Sequence, residues 1–158
     1  MKIVVLKETA AHEARVSLTP EVTKKLVDQG HAVFVDKDAG KLAGFVDADY
    51  TKSGATIVKD LGKELADADV VTSVVFDGVE KLKRARDNTI LISMIKPYHN
   101  DKALKELAKK KITSLALEFI PRISSAQAMD VLSSQANLAG YKAVVDVAAE
   151  FGRAMPMM

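Results

Sequence analysis

Short apolar runs alternate with helix-like segments from Lys2 to Leu117, and brief connections separate them. The first run, at 3–6, is apolar, rich in β-branched residues and bounded by charges, which is typical of a strand buried on both faces. Because such strands take turns with helices at least four times, right-handed β-α-β crossovers are favoured over a sandwich or a helical bundle. We therefore predict an α/β fold, with an open, mainly parallel sheet and helices on both faces.

Local signals predict where the individual elements begin and end. Thr19 and Pro20 are suited to the cap and first turn of a helix that Gly30 ends. After Pro121 the chain has neither a proline nor an apolar strand-like run for some thirty residues, so one long helix is predicted at 124–153. The predicted strands lie at 3–6, 31–35, 55–58, 69–76, 89–95 and 112–117, and the other predicted helices at 47–53, 63–66, 79–86 and 101–110.

Composition excludes several classes of protein. With 158 residues, 48% hydrophobic and 28% charged, the chain matches an ordinary globular protein, and we expect residues 1–158 to form a single domain. A net charge of +2 is too small to indicate nucleic-acid binding. The absence of cysteine excludes disulfides, and His12, His31 and His99 are dispersed, so we expect no metal centre. No apolar stretch is long enough to predict a membrane span.

The motifs of common nucleotide and hydrolase sites do not occur in the sequence. No Gly-x-Gly-x-x-Gly run follows a predicted strand, so we expect no complete dinucleotide-binding Rossmann unit within this chain. The sequence also contains no Gly-x-x-x-x-Gly-Lys-Ser/Thr, His-Glu-x-x-His or Gly-x-Ser-x-Gly run. Kinase and hydrolase chemistry therefore have no support.

A polar row of residues begins the predicted long helix. From Ile123 to Tyr141 the sole charged residue is Asp130. Side chains that recur three or four residues apart are predicted to share one helix face, and the polar ones here are Gln127, Asp130, Ser133 or Ser134, and Asn137. Solvated helix stripes usually carry Lys and Glu, which this segment lacks. With Arg122 just before the helix, the row is either a solvated stripe or a set of hydrogen-bond partners for a polar ligand or a partner surface.

Arg15 is a second candidate, in the connection after the first predicted strand. Ligands of open parallel sheets collect at the carboxyl ends of the strands, which is where this connection lies. The guanidinium could hold a carboxylate or phosphate, or it could pair with Glu13 two residues earlier. The sequence leaves both interpretations open.

Two segments resemble a known family. Lys7-Glu8 followed by Glu13-x-Arg15-Val-Ser-Leu-Thr-Pro is similar to the opening of alanine dehydrogenases and of the α subunit of nicotinamide nucleotide transhydrogenases. The run PRISSAQAMDVLSSQANLAGY at 121–141 resembles the transhydrogenases more closely. Ser125 departs from the family's frequent second Arg, and Ala128 stands where Ser is common. The resemblance implies a flavodoxin-like domain, similar to the catalytic domains of formate and glycerate dehydrogenases.

The resemblance also implies residue roles. In the family, the residues that match Arg122, Gln127, Asp130 and Ser133 surround the nicotinamide ribose and carboxamide of NAD(H). The parent enzyme passes a hydride directly from NADH to NADP⁺ and couples this transfer to proton movement across a membrane. No catalytic acid or base is required, because the cofactor carries the chemistry and the protein orients it.

Partners follow from the same resemblance. Family members continue into a Rossmann NAD-binding domain that is absent from these 158 residues, so the isolated chain is expected to be inactive and to bind NADH weakly or not at all. The implied partners are that domain, an NADP(H)-binding domain or subunit and a membrane subunit, with a homodimer at full length. The implied location is the cytoplasmic side of the inner membrane, through partner subunits.

Two alternatives remain at this stage. Alanine dehydrogenases of the family use a Lys in the central strand and a His in the next strand, but the segments 69–76 and 89–95 contain neither. The other alternative is a non-catalytic interaction module whose low-charge helix, rich in small residues such as Ala136 and Gly140, docks a partner chain.

Overall fold

Six strands form one sheet, all parallel, in the order β3-β2-β1-β4-β5-β6. The computed structural model describes residues 1–153. It divides into two compact units, residues 1–116 and the residues from Leu117 onward, and the sheet belongs to the first unit. The strands are β1 (Lys2–Val5), β2 (Ala32–Asp36), β3 (Thr56–Val58), β4 (Val70–Val75), β5 (Ile90–Met94) and β6 (Thr113–Ala116).

Helices connect successive strands, as parallel pairing requires. The α-helices are α1 (Pro20–Asp28), α2 (Asp47–Lys52), α3 (Gly62–Ala66), α4 (Asp101–Lys109) and α5 (Val131–Glu150). Short 3-10 helices lie at Lys41–Ala43, Val79–Leu82, Pro97–His99, Leu117–Phe119 and Ser124–Met129. The predicted α/β class and the long final helix are confirmed.

β1 lies in the middle of the sheet, and its apolar residues Ile3, Val4 and Val5 are buried on both faces. Val4 is paired with Phe34 of β2 on one side and with Val71 of β4 on the other. Strand order changes direction between β1 and β4, since β2 and β3 follow β1 to one side and β4 to β6 lie on the other. Ligands of open α/β sheets bind at the carboxyl ends of the strands beside such a reversal.

Two hydrophobic clusters cover the two faces of the sheet. Neighbouring residues of a strand point to opposite faces, and accordingly Val4 belongs to one cluster while Val5 belongs to the other. The first cluster includes Leu65 of α3 and Leu107 of α4, and the second includes Tyr50 of α2. Helices therefore lie on both faces, as predicted. Burial of each such Leu or Val side chain stabilises the fold by about 1.5–3 kcal/mol.

The start and end signals of α1 act as predicted. The Thr19 side chain accepts a hydrogen bond from the Val22 N–H at 3.4 Å, and Pro20 occupies the first turn. Gly30 follows the helix with φ of 84°, a left-handed conformation that glycine adopts without strain.

The predicted helix at 79–86 is wrong in type and length. Only Val79–Leu82 is helical, as a 3-10 helix. The residue before it, Gly78, has no side chain that could cap the helix. Arg86 is held outside the turn, because its Nε donates to the carbonyl of Ala68 at 3.2 Å. The helical turn ends at Leu82, so residues 83–86 of the predicted helix lie outside it.

The single helix predicted at 124–153 is two elements. Ser124–Met129 is a 3-10 helix, Asp130 is non-helical with ψ of 87°, and α5 begins at Val131 and ends at Glu150. The break occurs because Asp130 caps α5, which requires a non-helical backbone at that residue. The predicted polar row therefore does not lie on one helix face.

Candidate functional site

A polar cavity of about 290 Å³ lies in the second unit, between the 3-10 helix Ser124–Met129 and the start of α5. All four residues predicted to bind a cofactor line it. The lining residues are Arg122, Ile123, Ser124, Gln127, Asp130 and Ser133.

Asp130 fixes the geometry of this cavity. Its Oδ1 accepts a hydrogen bond from the Ser133 N–H at 2.9 Å, and its Oδ2 accepts one from the Ser133 hydroxyl. This N-terminal cap turns the chain sharply between Gln127 and Ser133, and the turn brings their side chains around one space.

The same contacts set the charge of Asp130. Hydrogen bonds from the Ser133 hydroxyl and N–H lower the pKa of the Asp130 carboxyl, and the positive charge of Arg122 lowers it further. The carboxylate is therefore ionised at neutral pH and acts as a hydrogen-bond acceptor rather than as a proton donor.

The 3-10 helix positions Gln127. Ile123 is extended, and its carbonyl accepts the Ala126 N–H at 3.0 Å. The Gln127 carbonyl accepts the Asp130 N–H at 3.3 Å, which closes the turn onto the cap. Ala126 is buried while Gln127 is exposed, so the amide side chain remains available to a ligand.

Together the lining groups can recognise a ligand that carries both donors and acceptors. Arg122 supplies only donors, ionised Asp130 supplies only acceptors, and the amide of Gln127 supplies both. Such a set binds and orients a polar ligand.

Gln127, Asp130 and Ser133 were predicted from their spacing and Arg122 from its position just before the helix, but the reason for their proximity was not predicted. Ile123 and Ser124 were missed as lining residues, and Asn137, which belongs to the predicted polar row but not to the predicted cofactor site, does not line the cavity. Asp130 and Ser133 have the spacing of an Asp cap and its third helical residue, and this signal predicts the break in the helix.

Arg15, the other predicted candidate, lies in the first unit and binds Glu13. Its Nε donates to Oε1 at 2.7 Å and its Nη2 donates to Oε2 at 2.6 Å, so the carboxylate takes two parallel bonds. The Arg15 N–H also donates to Oε1, at 3.0 Å. The sequence left two interpretations of Arg15 open, and the structure shows the one in which Arg15 pairs with Glu13. An incoming anion would meet a guanidinium that a carboxylate already engages.

A second cavity, of about 480 Å³, lies at the carboxyl ends of the strands in the first unit. Its lining includes Asp36, Asp60 and Lys81. Lys81 is already engaged, since it pairs with Asp77 at 2.9 Å and donates to the Lys7 carbonyl at 2.9 Å. All four predicted cofactor-binding residues line the smaller cavity, so we take that cavity as the candidate site.

Residues 1–153 provide neither a membrane span nor a cluster of metal ligands. None of the helices described there combines the length and apolar character needed to cross a bilayer. Nor does this stretch of the chain bring together three or more His, Cys, Asp or Glu residues that could hold a metal ion.

Comparison with known proteins identifies relatives of this chain. The family model described as "Alanine dehydrogenase/PNT, N-terminal domain" matches residues 4–139. The first part of NAD(P) transhydrogenase subunit alpha from Rickettsia prowazekii is 43% identical over all of this chain, which spans 42% of that relative's length.

Solved structures agree with the sequence comparison. The transhydrogenase from Sinorhizobium meliloti matches the whole chain with a TM-score of 0.91 and 39% identity, and the match covers 47% of that protein. An L-alanine dehydrogenase matches 80% of the chain with a TM-score of 0.73 and 27% identity, over 35% of its own length. The chain thus spans less than half the length of these proteins.

Proposed function

The chain belongs to the alanine dehydrogenase/PNT N-terminal domain family, and from this membership we propose that it is the N-terminal part of the NAD(H)-binding component of a proton-translocating NAD(P) transhydrogenase. Its task in this proposal is to orient the nicotinamide for direct hydride transfer from NADH to NADP⁺. The observation that carries the proposal is the cavity lined by Arg122, Gln127, Asp130 and Ser133.

The cavity suits the redox end of a dinucleotide in size and chemistry. A volume of about 290 Å³ is at the lower end of ligand cavities and fits one end of such a molecule rather than all of it. The nicotinamide carboxamide has an acceptor and two donors, which match Arg122 and Gln127. The ribose hydroxyls donate to ionised Asp130 and exchange hydrogen bonds with Ser133.

Bound NADH supplies the hydride, so the protein's contribution is orientation. Arg122 and Gln127 fix the plane of the ring through its carboxamide, and Asp130 and Ser133 fix the ribose. Holding two reactants in a reactive geometry lowers the barrier by removing the entropy of their encounter. The acceptor NADP⁺ is held in this proposal by another domain or subunit.

Several partners belong to the same proposal. The remainder of the NAD(H)-binding component, the NADP(H)-binding part and the membrane subunit all lie outside these 158 residues. The complete component is a homodimer, attached to the cytoplasmic side of the inner membrane through its partners. The isolated chain is inactive.

Substitutions in the complete enzyme test the role of the cavity. Asp130→Asn keeps a capping side chain but removes the negative charge, and Arg122→Ala removes the cation. We expect hydride transfer to fall at least about tenfold, while the Kd for NADH rises less than about threefold, since the ring is bound but misoriented. Ser125→Ala, on the same turn but outside the cavity lining, is the matched control. Unchanged hydride transfer in both variants would refute the assignment.

NADH titration of the isolated chain is a second test. We expect only weak binding, with amide shifts at Gln127, Asp130 and Ser133 in ¹H–¹⁵N spectra at millimolar NADH. Sub-micromolar affinity would contradict the proposal that most contacts to the dinucleotide lie outside this chain.

An alanine dehydrogenase function is the main alternative, supported by the similarity to the L-alanine dehydrogenase structure. β4 has the sequence VVTSVV and β5 has ILISM, so neither strand provides the Lys or His of such a site. Oxidation of alanine with NAD⁺ by a complete enzyme that contains this chain would favour the alternative. Self-association of the chain without any NADH-dependent shift would instead favour an interaction module.

A further inference from the structure

The carboxylate of Glu8 holds two consecutive backbone N–H groups at the end of β4. The Val74 N–H donates to Oε1 at 2.6 Å, and the Val75 N–H donates to Oε2 at 3.2 Å. Consecutive N–H groups of a regular strand point to opposite sides. Here the pairing of β4 with β5 shifts register between Thr72 and Val75, and this irregularity lets one carboxylate span both groups.

Beyond the end of β1, the Glu8 side chain replaces the β1 backbone as the hydrogen-bond acceptor for β4. The Leu6 N–H donates to the Thr72 carbonyl at 3.0 Å, which continues the backbone pairing of the two strands. Beyond that bond, side-chain oxygens of Glu8 are the acceptors for β4. The contact therefore lies at the reversal of strand order, where open sheets bind ligands.

Two positive charges and one negative charge lie around the Glu8 carboxylate. Lys81 donates to the Lys7 carbonyl at 2.9 Å, next to Glu8 in the chain, and Arg15 is close enough for its positive charge to interact with Glu8. Glu13 opposes them with a negative charge. Burial raises the pKa of Glu8 above its ordinary value, although the N–H groups of Val74 and Val75 and the charge of Lys81 act to lower it.

We propose that the N–H groups of Val74 and Val75 form a binding site for a small monocarboxylate, and that the Glu8 side chain is the ligand that this chain keeps in it. This inference goes beyond the proposed function and concerns the first unit alone. While Glu8 is in place, no substrate carboxylate can use these two N–H groups.

The proposal predicts chemical rescue in the 158-residue chain. Glu8→Ala removes Cγ and the carboxylate, which together have the atoms of acetate. We expect the Tm of this variant to fall by about 5 °C, because two N–H groups lose a charged acceptor. Sodium acetate at about 0.2 M should restore at least half of the loss, while sodium chloride at equal ionic strength should not.

Two further variants isolate the site. Glu8→Gln is also destabilised but keeps the space filled, so acetate should not restore its Tm. Glu64→Ala removes a carboxylate that pairs with the Lys2 ammonium at 2.6 Å, and acetate should not act there either. Amide spectra of Glu8→Ala should show acetate-dependent shifts at Val74 and Val75.

Each outcome decides the question. A rescue confined to Glu8→Ala, with shifts at the two valines, supports the proposal. If Glu8→Ala does not fold in chloride but folds in acetate, that result supports it as well. Failure to fold in either salt, equal effects of acetate and chloride, or equal rescue of Glu64→Ala would overturn it. A lack of NADH binding would leave this result unaffected, so the two proposals fail separately.

Discussion

The pair formed by Glu13 and Arg15 makes part of the stability depend on pH. Hydrogen bonds from Arg15 lower the pKa of the Glu13 carboxyl below its ordinary value of 4.5. A lowered pKa in the folded state contributes stability that is present above the unfolded value and is lost as the pH falls through the folded value.

We therefore expect Glu13→Gln to lower the free energy of unfolding at pH 7 by about 1 kcal/mol, a modest value because the Arg15 side chain is 42% exposed. The difference from the unsubstituted chain should shrink below pH 4.5 and disappear once Glu13 is protonated. Urea unfolding across the range from neutral to strongly acidic pH measures it. A difference that stays constant throughout that range would contradict the charge-based explanation.

A buried hydroxyl pair links β4 and β5. The Ser73 hydroxyl donates to the Ser93 hydroxyl at 3.0 Å, and Ser93 donates to the Met94 carbonyl at 3.4 Å. Ser93→Ala removes the acceptor of Ser73, so it should cost about 1 kcal/mol and more than Ser73→Ala, which leaves Ser93 its carbonyl acceptor. The double variant should cost less than the two single changes together. A double-mutant cycle in urea checks this, and strict additivity would show that the bond contributes nothing.

At the scale of elements, the start of α1 depends on Thr19. Thr19→Ala should lower the free energy of unfolding by about 0.5 kcal/mol, at the low end for caps because the bond to Val22 is 3.4 Å long. Thr51 of α2 is a matched control, since its hydroxyl donates to the Asp47 carbonyl within the helix and caps no free N–H. Thr51→Ala should have little effect. Equal losses in both variants would contradict the capping explanation.

The elements predicted well from sequence have strong local signals. β1 and β4 are short runs rich in β-branched residues that are mostly buried, and α1 has both a start and a stop signal, so these local patterns were enough to predict them. The segment at 79–86 has helix-forming residues, but only Val79–Leu82 is helical, and Arg86 beyond it bonds to the carbonyl of the distant Ala68. Sequence patterns do not report contacts between distant residues.

The predicted geometry of the candidate site is wrong, and the cofactor-binding role of its residues stays a prediction. Arg122, Gln127, Asp130 and Ser133 do meet at one cavity. They meet because the chain bends at Asp130, whereas the three-to-four spacing predicted one straight helix. A capping aspartate and a mid-helix aspartate have the same spacing to their neighbours, so periodicity alone does not distinguish them.

For the whole molecule, the buried core predicts that the first unit folds alone. Among residues 1–153, every buried hydrophobic residue except Ala126 lies within 1–116. A fragment of residues 1–116 should therefore unfold cooperatively in urea. A fragment of residues 1–66 should not fold, because β1 would lose its pairing with β4. An unfolded 1–116 fragment would show that the later residues are required for the core.

The strand order also matters while the chain is being synthesised. β1 gains its partner β2 early, but β4, which covers its other edge, ends only at Val75. At about 5–20 residues per second, a ribosome takes a few seconds to make the intervening stretch. Throughout that interval β1, which is buried in the finished protein, has an uncovered edge, the kind of surface on which unfinished chains aggregate.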